Sequence, residues 1–169
     1  MKTVVLLCGD RDSGKTNTLK TFFGVSDIKR LKPMQLLVTT VNGKRICAIG
    51  LTSPQELAND FCNVEKVDKR INKRLEKCEL NSQGHGYVLI IPFTLFVEDG
   101  NVNERCIIEP IESLRSKGYN VVPVYLRKTT STFLHLFGAL MSKIGATIIE
   151  SSKDYDRQAE ELKKLIILL

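Results

Sequence analysis

Gly9-Asp10-Arg11-Asp12-Ser13-Gly14-Lys15-Thr16 sets two glycines five positions apart and follows the second with a lysine and a hydroxyl. That spacing suits a polyphosphate anion. Gly9 and Gly14 admit backbone conformations that turn successive N–H groups inward, and the N-terminus of a following helix adds partial positive charge. Ser13 contributes its amide, Lys15 can reach the outer phosphates, and the Thr16 hydroxyl can ligate a Mg²⁺ ion carried by them. Asn17 and Thr18, one turn on, stand within reach of an inner phosphate. Asp10 and Asp12 oppose an anion unless Mg²⁺ or Arg11 offsets them, so their side chains are expected to point away from the cup or serve a separate purpose.

Such a loop works only where a strand delivers it and a helix receives it. Thr3 to Cys8 is a continuous apolar, β-branched run, the pattern of a strand buried on both faces of a parallel sheet. Lys15 to Phe23 then reads as a helix with Leu19, Phe22 and Phe23 on one face and Gly24 as its stop. Met34 to Val41 and Lys44 to Ile49 read as an antiparallel hairpin turned at Asn42-Gly43. Ser53-Pro54 opens a helix, with Glu56 as capping-box partner, and a charged helical stretch continues to about Glu79. Asn81 to Gly86 is a polar break before the apolar strand Tyr87 to Phe93. Asn103 to Lys117 predicts a helix, Tyr119 to Leu126 a buried strand, Thr130 to Lys143 a helix, Ala146 to Ile149 a short strand and Lys153 to Leu168 an amphipathic helix. Alternation of this kind predicts one α/β domain over residues 1–169 with helices on both faces.

With the pattern in that context, residues 1–24 resemble the first strand, Walker A loop and first helix of the P-loop NTPase superfamily. The resemblance implies a three-layer P-loop NTPase fold whose mostly parallel sheet carries one antiparallel edge hairpin strand. It also implies a nucleotide site at Gly9, Asp12, Ser13, Gly14, Lys15, Thr16, Asn17 and Thr18. The form G-x-x-D-x-G-K-T is similar to the loop of translation-factor GTPases, which implies a catalytic-side place for Asp12, holding a monovalent cation or the attacking water. The hairpin of the second and third strands resembles the small G-protein arrangement. Two motifs of that group are missing: AIGLTSPQE stands where D-x-x-G belongs, and YLRKTT where N-K-x-D belongs. A further resemblance, over residues 1 to about 93, is to small P-loop proteins with a G-K-T-x-T-L start.

A metal at the phosphates normally needs a carboxylate at the end of a nearby strand. The strand YVLIIPF ends without one. Glu56 is the first candidate, for both the metal and the water, against an equal case for a capping role alone. Asp60, Glu98 and Asp99 follow, although Asp99-Gly100 reads more simply as a turn. Thr52 and Ser53 can bind water or the outer phosphate instead. Arg127 and Lys128 follow the fifth strand, where ligands of open α/β sheets gather, and either can meet base or phosphate, although basic residues there are more often solvated. His85 and His135 have no nucleophile or metal partner in view.

Composition adds limits. A net charge of +6 favours polyanions, but the basic residues are scattered, without the interleaved aromatics of a nucleic-acid groove. Five cysteines show no metal-ligand spacing and read as reduced core thiols. No stretch suits a membrane span, and a cytoplasmic location is the expectation. The functional expectation is a Mg²⁺-dependent nucleotide-binding protein that hydrolyses ATP or GTP at the γ-phosphate, with Lys15, Asp12 and Glu56 as catalytic groups and Thr16 and Glu56 toward the metal. Absence of N-K-x-D leans the base toward adenine. A kinase for a nucleotide or small molecule, and a non-catalytic switch completed by a protein or nucleic-acid partner, are the alternatives.

Overall fold

The structure is a computed structural model that describes residues 2–25, 32, 34–58, 63–102 and 104–169. Strand β1, Lys2–Gly9, lies inside the sheet with β4, Tyr87–Thr94, on one side and β7, Asn120–Arg127, on the other, both parallel. Val4 to Cys8 are fully excluded from solvent, because neighbouring strands and both helical layers cover them. This is why the run is apolar without alternation.

Outside β4 comes β3, Lys44–Ile49, also parallel, and then β2, Leu36–Val41, antiparallel to β3. Beyond β7 lies β8, Thr147–Glu150. The six-stranded order is thus β2-β3-β4-β1-β7-β8, a mixed and mostly parallel α/β sheet. The hairpin expected at Asn42-Gly43 is present, with both turn residues at positive φ, 49° and 73°. β3 does not adjoin β1, since β4 is inserted between them.

Pro92 in β4 and Pro123 in β7 lack an N–H for the ladder, yet both strands are interior. The pairing resolves this. The β3 partners of β4 end at Ile90, before Pro92, and the β8 partners of β7 begin at Val124, after Pro123. Each proline therefore sits where one neighbour is missing.

Alternate β1 residues feed two cores. Val4, Leu6 and Cys8 pack with α3, Val64–Ser82, α4, Arg105–Ser116, and α5, Leu134–Lys143. Val5 and Leu7 pack with α1, Lys15–Phe22, and α6, Tyr155–Leu168. Helices therefore cover both faces. Among the described residues, no helix is long and apolar enough to cross a membrane.

Some boundaries differ from the sequence pattern. The helical stretch after Ser53 is split: α2, Pro54–Ala58, is short, and α3 starts anew with Asn63 as N-cap, its side chain accepting from the Lys66 N–H at 3.0 Å. α3 continues through Asn81, where a break was expected, and stops at Gln83 in the left-handed region. Thr130 to Phe133 form turns rather than the first turn of α5, held by a Ser131 N–H to Lys128 carbonyl bond of 3.0 Å. Asp99-Gly100 is the turn of a small hairpin joining β5, Val97–Glu98, to β6, Asn101–Val102.

Leu6 is 0% exposed and lies between Ile91 and Pro123 in the register. Leu6→Ala is expected to lower unfolding free energy by about 2–5 kcal/mol through lost burial and a residual cavity, with an unchanged urea m-value.

Candidate phosphate-binding site

β1 ends at Gly9 and α1 begins at Lys15, so the loop between them opens at the C-terminal edge of the sheet. Asp12 and Gly14 both take left-handed backbone, φ 64° and 87°, alternating with residues that do not. Such alternation turns successive amides to one side and forms an anion-binding concavity. Ser13 folds back across Gly9 so closely that a Cβ on Gly9 would lie 2.2 Å from Ser13 Oγ. A Cβ on Gly14 would meet the ring of Tyr155 at 2.9 Å. Space therefore demands both glycines of the motif, and at Gly14 the left-handed backbone does so as well.

Lys15 is only 8% exposed. Its ammonium donates to the carbonyls of Gly9 and Asp10 at 2.8 and 2.7 Å and lies 3.3 Å from Ser13 Oγ. Burial pulls its pKa down to about 8, against the opposing charges of Glu56 and Asp10. Burial likewise pushes the Cys8 thiol up to about 12, so this cysteine is not a nucleophile at neutral pH. The Thr16 hydroxyl is exposed and makes only a long 3.5 Å contact with the Leu51 carbonyl, which leaves it available to a ligand.

Across the cleft stands a buried polar cluster. The Gln55 carboxamide donates to the Thr94 carbonyl at 3.3 Å and accepts from the Thr94 N–H at 3.4 Å. It stands in for the strand pairing that β4 lacks beyond Ile90, and it fixes α2 to the end of β4. Ser53 Oγ lies 3.0 Å from Thr94 Oγ1, which lies 3.1 Å from Glu56 Oε1. The consistent proton order has Ser53 donating to Thr94 and Thr94 donating to the carboxylate. Ser53 also caps α2, accepting from the Glu56 N–H at 3.3 Å, but the Glu56 carboxylate turns to Thr94 and faces the cleft. Behind this segment the fully buried Arg74 donates to the Thr52 carbonyl, and burial lowers its pKa to about 10.

The β8–α6 connection pins the loop from the third side. Ser151 Oγ donates to the Ser13 carbonyl at 2.7 Å, and Thr18 Oγ1 lies 2.6 Å from Gln158 Oε1. The half-open cleft, about 370 Å³, is lined by Asp12, Lys15, Thr16, Asn17, Glu56 and Tyr155 among others.

The structure thus gathers Asp12, Ser13, Gly14, Lys15, Thr16, Asn17, Ser53 and Glu56 in one cleft. Gly9 lies beneath it and contributes a carbonyl to Lys15. Thr18 is fully buried, its hydroxyl engaged by Gln158 and not turned to the cleft. Arg127 is in an ion pair with Glu150, its register partner on β8, which raises the guanidinium pKa further; it does not line the cleft. Lys128 lines a separate groove with Asp10 and Phe133. Asp10 and Arg11 form no ion pair with each other among the described residues, and one Asp10 oxygen is buried without a partner. Glu98 and Asp99 belong to the small hairpin, His85 lies near the start of β4 at the opposite end of the sheet, and His135 is exposed on α5. Asp60 lies outside the described residues. Thr94, Gln55, Ser151, Tyr155 and Gln158 were not singled out from the sequence. The available signal was position: Thr94 closes an interior strand and Ser151 to Tyr155 follow the last one.

No protein-family model matches the chain, and no curated protein matches it. Among solved structures it is similar to a de novo designed protein of the PLOOP2X3 fold, determined by solution NMR, at 15% identity over 99% of this chain and 92% of that one, TM-score 0.48. A second de novo designed protein, also determined by solution NMR, is 15% identical over 99% of this chain and 91% of its own, TM-score 0.45. Neither likeness bears on what the chain binds.

The Lys15 pKa is about 8 in the folded chain against an ordinary 10.5. A cation whose folded value is depressed penalises folding fully below the folded pKa, and the penalty is relieved as pH rises from 8 to 10.5. Lys15→Met is therefore expected to stabilise the ligand-free chain at pH 7 by roughly 1–3 kcal/mol in urea unfolding, the gain shrinking as pH rises from about 8 to 10.5.

Proposed function

We propose that the chain is a P-loop NTPase-fold protein, three-layered, that binds a Mg²⁺–nucleoside triphosphate and hydrolyses ATP or GTP at the γ-phosphate. One observation carries this reading: a buried, charged Lys15 lies under a loop with left-handed backbone at Asp12 and Gly14 and faces, across one cleft, a carboxylate bonded to the buried Thr94 hydroxyl. An ammonium sunk this far has carbonyl partners but no carboxylate bonded to it, so the loop is short of negative charge that a phosphate tail would supply.

The donor set fits the metal as well. Among the described residues no cluster of three or more His, Cys, Asp or Glu could hold an ion by itself. Thr16 and Glu56 offer hard oxygens, and Mg²⁺ is commonly held by one or two such groups together with phosphates and water. When bound, Mg²⁺ supplies charge neutralisation at the outer phosphates. Lys15 and the amides of residues 14 to 16 at the start of α1 stabilise charge on the transferring group. Glu56, with one oxygen fixed by Thr94, keeps the other for a water molecule, and Asp12 at the exposed rim is a second group on that side. Adenine is the expected base, on the missing N-K-x-D, and a cytoplasmic setting is part of the same reading.

Lys15→Ala is expected to abolish Mg²⁺–ATP and Mg²⁺–GTP binding in thermal-shift titrations while circular dichroism stays native; unchanged turnover would refute the proposal. Glu56→Gln should keep binding but slow phosphate release by about 100-fold or more, as for loss of a general base. Phosphate transferred to an added acceptor instead of water would favour the kinase, and tight binding without turnover the switch. Nucleotide affinity should hold below pH 7.5 and fall by up to about tenfold per pH unit above pH 8, as Lys15 loses its proton.

A further inference from the structure

We propose that the far end of the sheet holds a second ligand site, a cavity between the β2–β3 turn, the start of β4 and the end of α6, which takes a small organic monocarboxylate with an apolar body. It stands apart from the phosphate reading, because the two sites share no lining residue.

The cavity, about 470 Å³, falls in the ~300–1,000 Å³ range of small-molecule sites. Strands β1, β3 and β4 run parallel, so Thr3, Lys44 and Tyr87, at or next to their first residues, gather at the edge opposite the Gly9 to Thr16 loop. Thr3, Lys44, Arg45, His85, Tyr87 and Val88 are among the residues that line it.

One part of the wall is basic and short of acceptors. Lys44, Arg45 and His85 stand there, and no Asp or Glu is among the described lining residues. Neither Lys44 nor Arg45 forms an ion pair among the described residues. Arg45 is half-buried, and its Nε is buried without a hydrogen-bond partner, a costly state for a guanidinium. The acid behind this wall is already taken: Glu79 accepts from Lys2 at 2.8 Å, from Tyr119 at 2.6 Å and from Tyr87 at 3.4 Å.

The charge to be met is close to a single one. The Lys44 ammonium donates to the carbonyls of Ile167 and Ile166 at 3.0 and 3.4 Å, at the C-terminal end of α6, where the helix carries partial negative charge. Arg45 has no such offset. A planar guanidinium matches a carboxylate through two parallel N–H···O bonds, and Lys44 keeps a third donor for the same group. Val88 and Leu169 complete the lining with apolar surface for the body of the ligand. A dianionic phosphate would bring one charge more than this wall offsets.

Octanoate and phenylacetate are the probes. Titrated into the isotopically labelled full chain, each is expected to shift the amide signals of Gly43, Lys44, Arg45, His85 and Gly86 with a Kd of about 1 mM or below, and octanol to bind at least about tenfold more weakly than octanoate. Arg45→Gln and Lys44→Gln should each weaken octanoate by about 3- to 30-fold with an otherwise native spectrum, and Arg105→Gln, on the exposed side of α4, should leave it unchanged. Silence at these signals up to about 5 mM octanoate, shifts confined to the Gly9 to Asn17 loop, or equal affinity for octanol would overturn the proposal. So would unweakened octanoate binding in both natively folded variants, and octyl phosphate binding more tightly than octanoate would overturn the choice of a carboxylate.

Discussion

A positively charged ammonium, almost wholly buried, is the constraint around which this molecule is arranged. Lys15 is placed by helix α1 but satisfied by carbonyls of the strand end before it, so the loop between them must close on itself. That closure requires left-handed backbone at Asp12 and Gly14 and bare Cα atoms at Gly9 and Gly14. A desolvated cation held by neutral carbonyls is costly, and the cost shows in its lowered pKa. Sites that hold such strain are supported from outside, and this one is supported from three directions.

The supports come from segments distant in the chain. Ser151 and Gln158, about 140 residues downstream, hold the loop and the first turn of α1. Gln55 ties α2 to the end of β4 and thereby fixes Glu56 opposite Lys15. Arg74, from the middle of α3, holds the Thr52 carbonyl from below. The contacts tie the loop and the segment after β3 to elements anchored in the sheet and its helices, which is how a site keeps its geometry on loops. The inserted strand β4 matters here, because its last residue, Thr94, supplies the hydroxyl between Ser53 and Glu56.

The buried hydroxyl–carboxylate chain and the ammonium act on one another across the cleft. Glu56 is the largest favourable charge acting on Lys15, yet the two are not bonded to each other. A direct ion pair would neutralise both and leave nothing for a ligand. On the proposed function, separation keeps one charge for an anion and the other for a water molecule or a metal-bound one. The edge of the sheet is arranged the opposite way: Arg127 is bonded directly to Glu150 and does not line the cleft.

Much of this was legible in the residues alone, wherever the governing interaction is local. The Gly9 to Thr16 loop, the Asn42-Gly43 turn, the Ser53 cap and the unbroken apolar run of β1 depend on backbone angles and burial that a few adjacent residues dictate. What tertiary structure alone decided depends on pairing between distant segments, which local pattern does not encode. Parallel register put Glu150 beside Arg127 and so took that arginine from the cleft; insertion of β4 between β1 and β3 brought Thr94, not an acid, to the site; and the packing of α6 on α1 brought Tyr155 onto Gly14. Even the split of the long helical stretch into α2 and α3 follows this rule, since α2 is held by Gln55 reaching a strand 39 residues away.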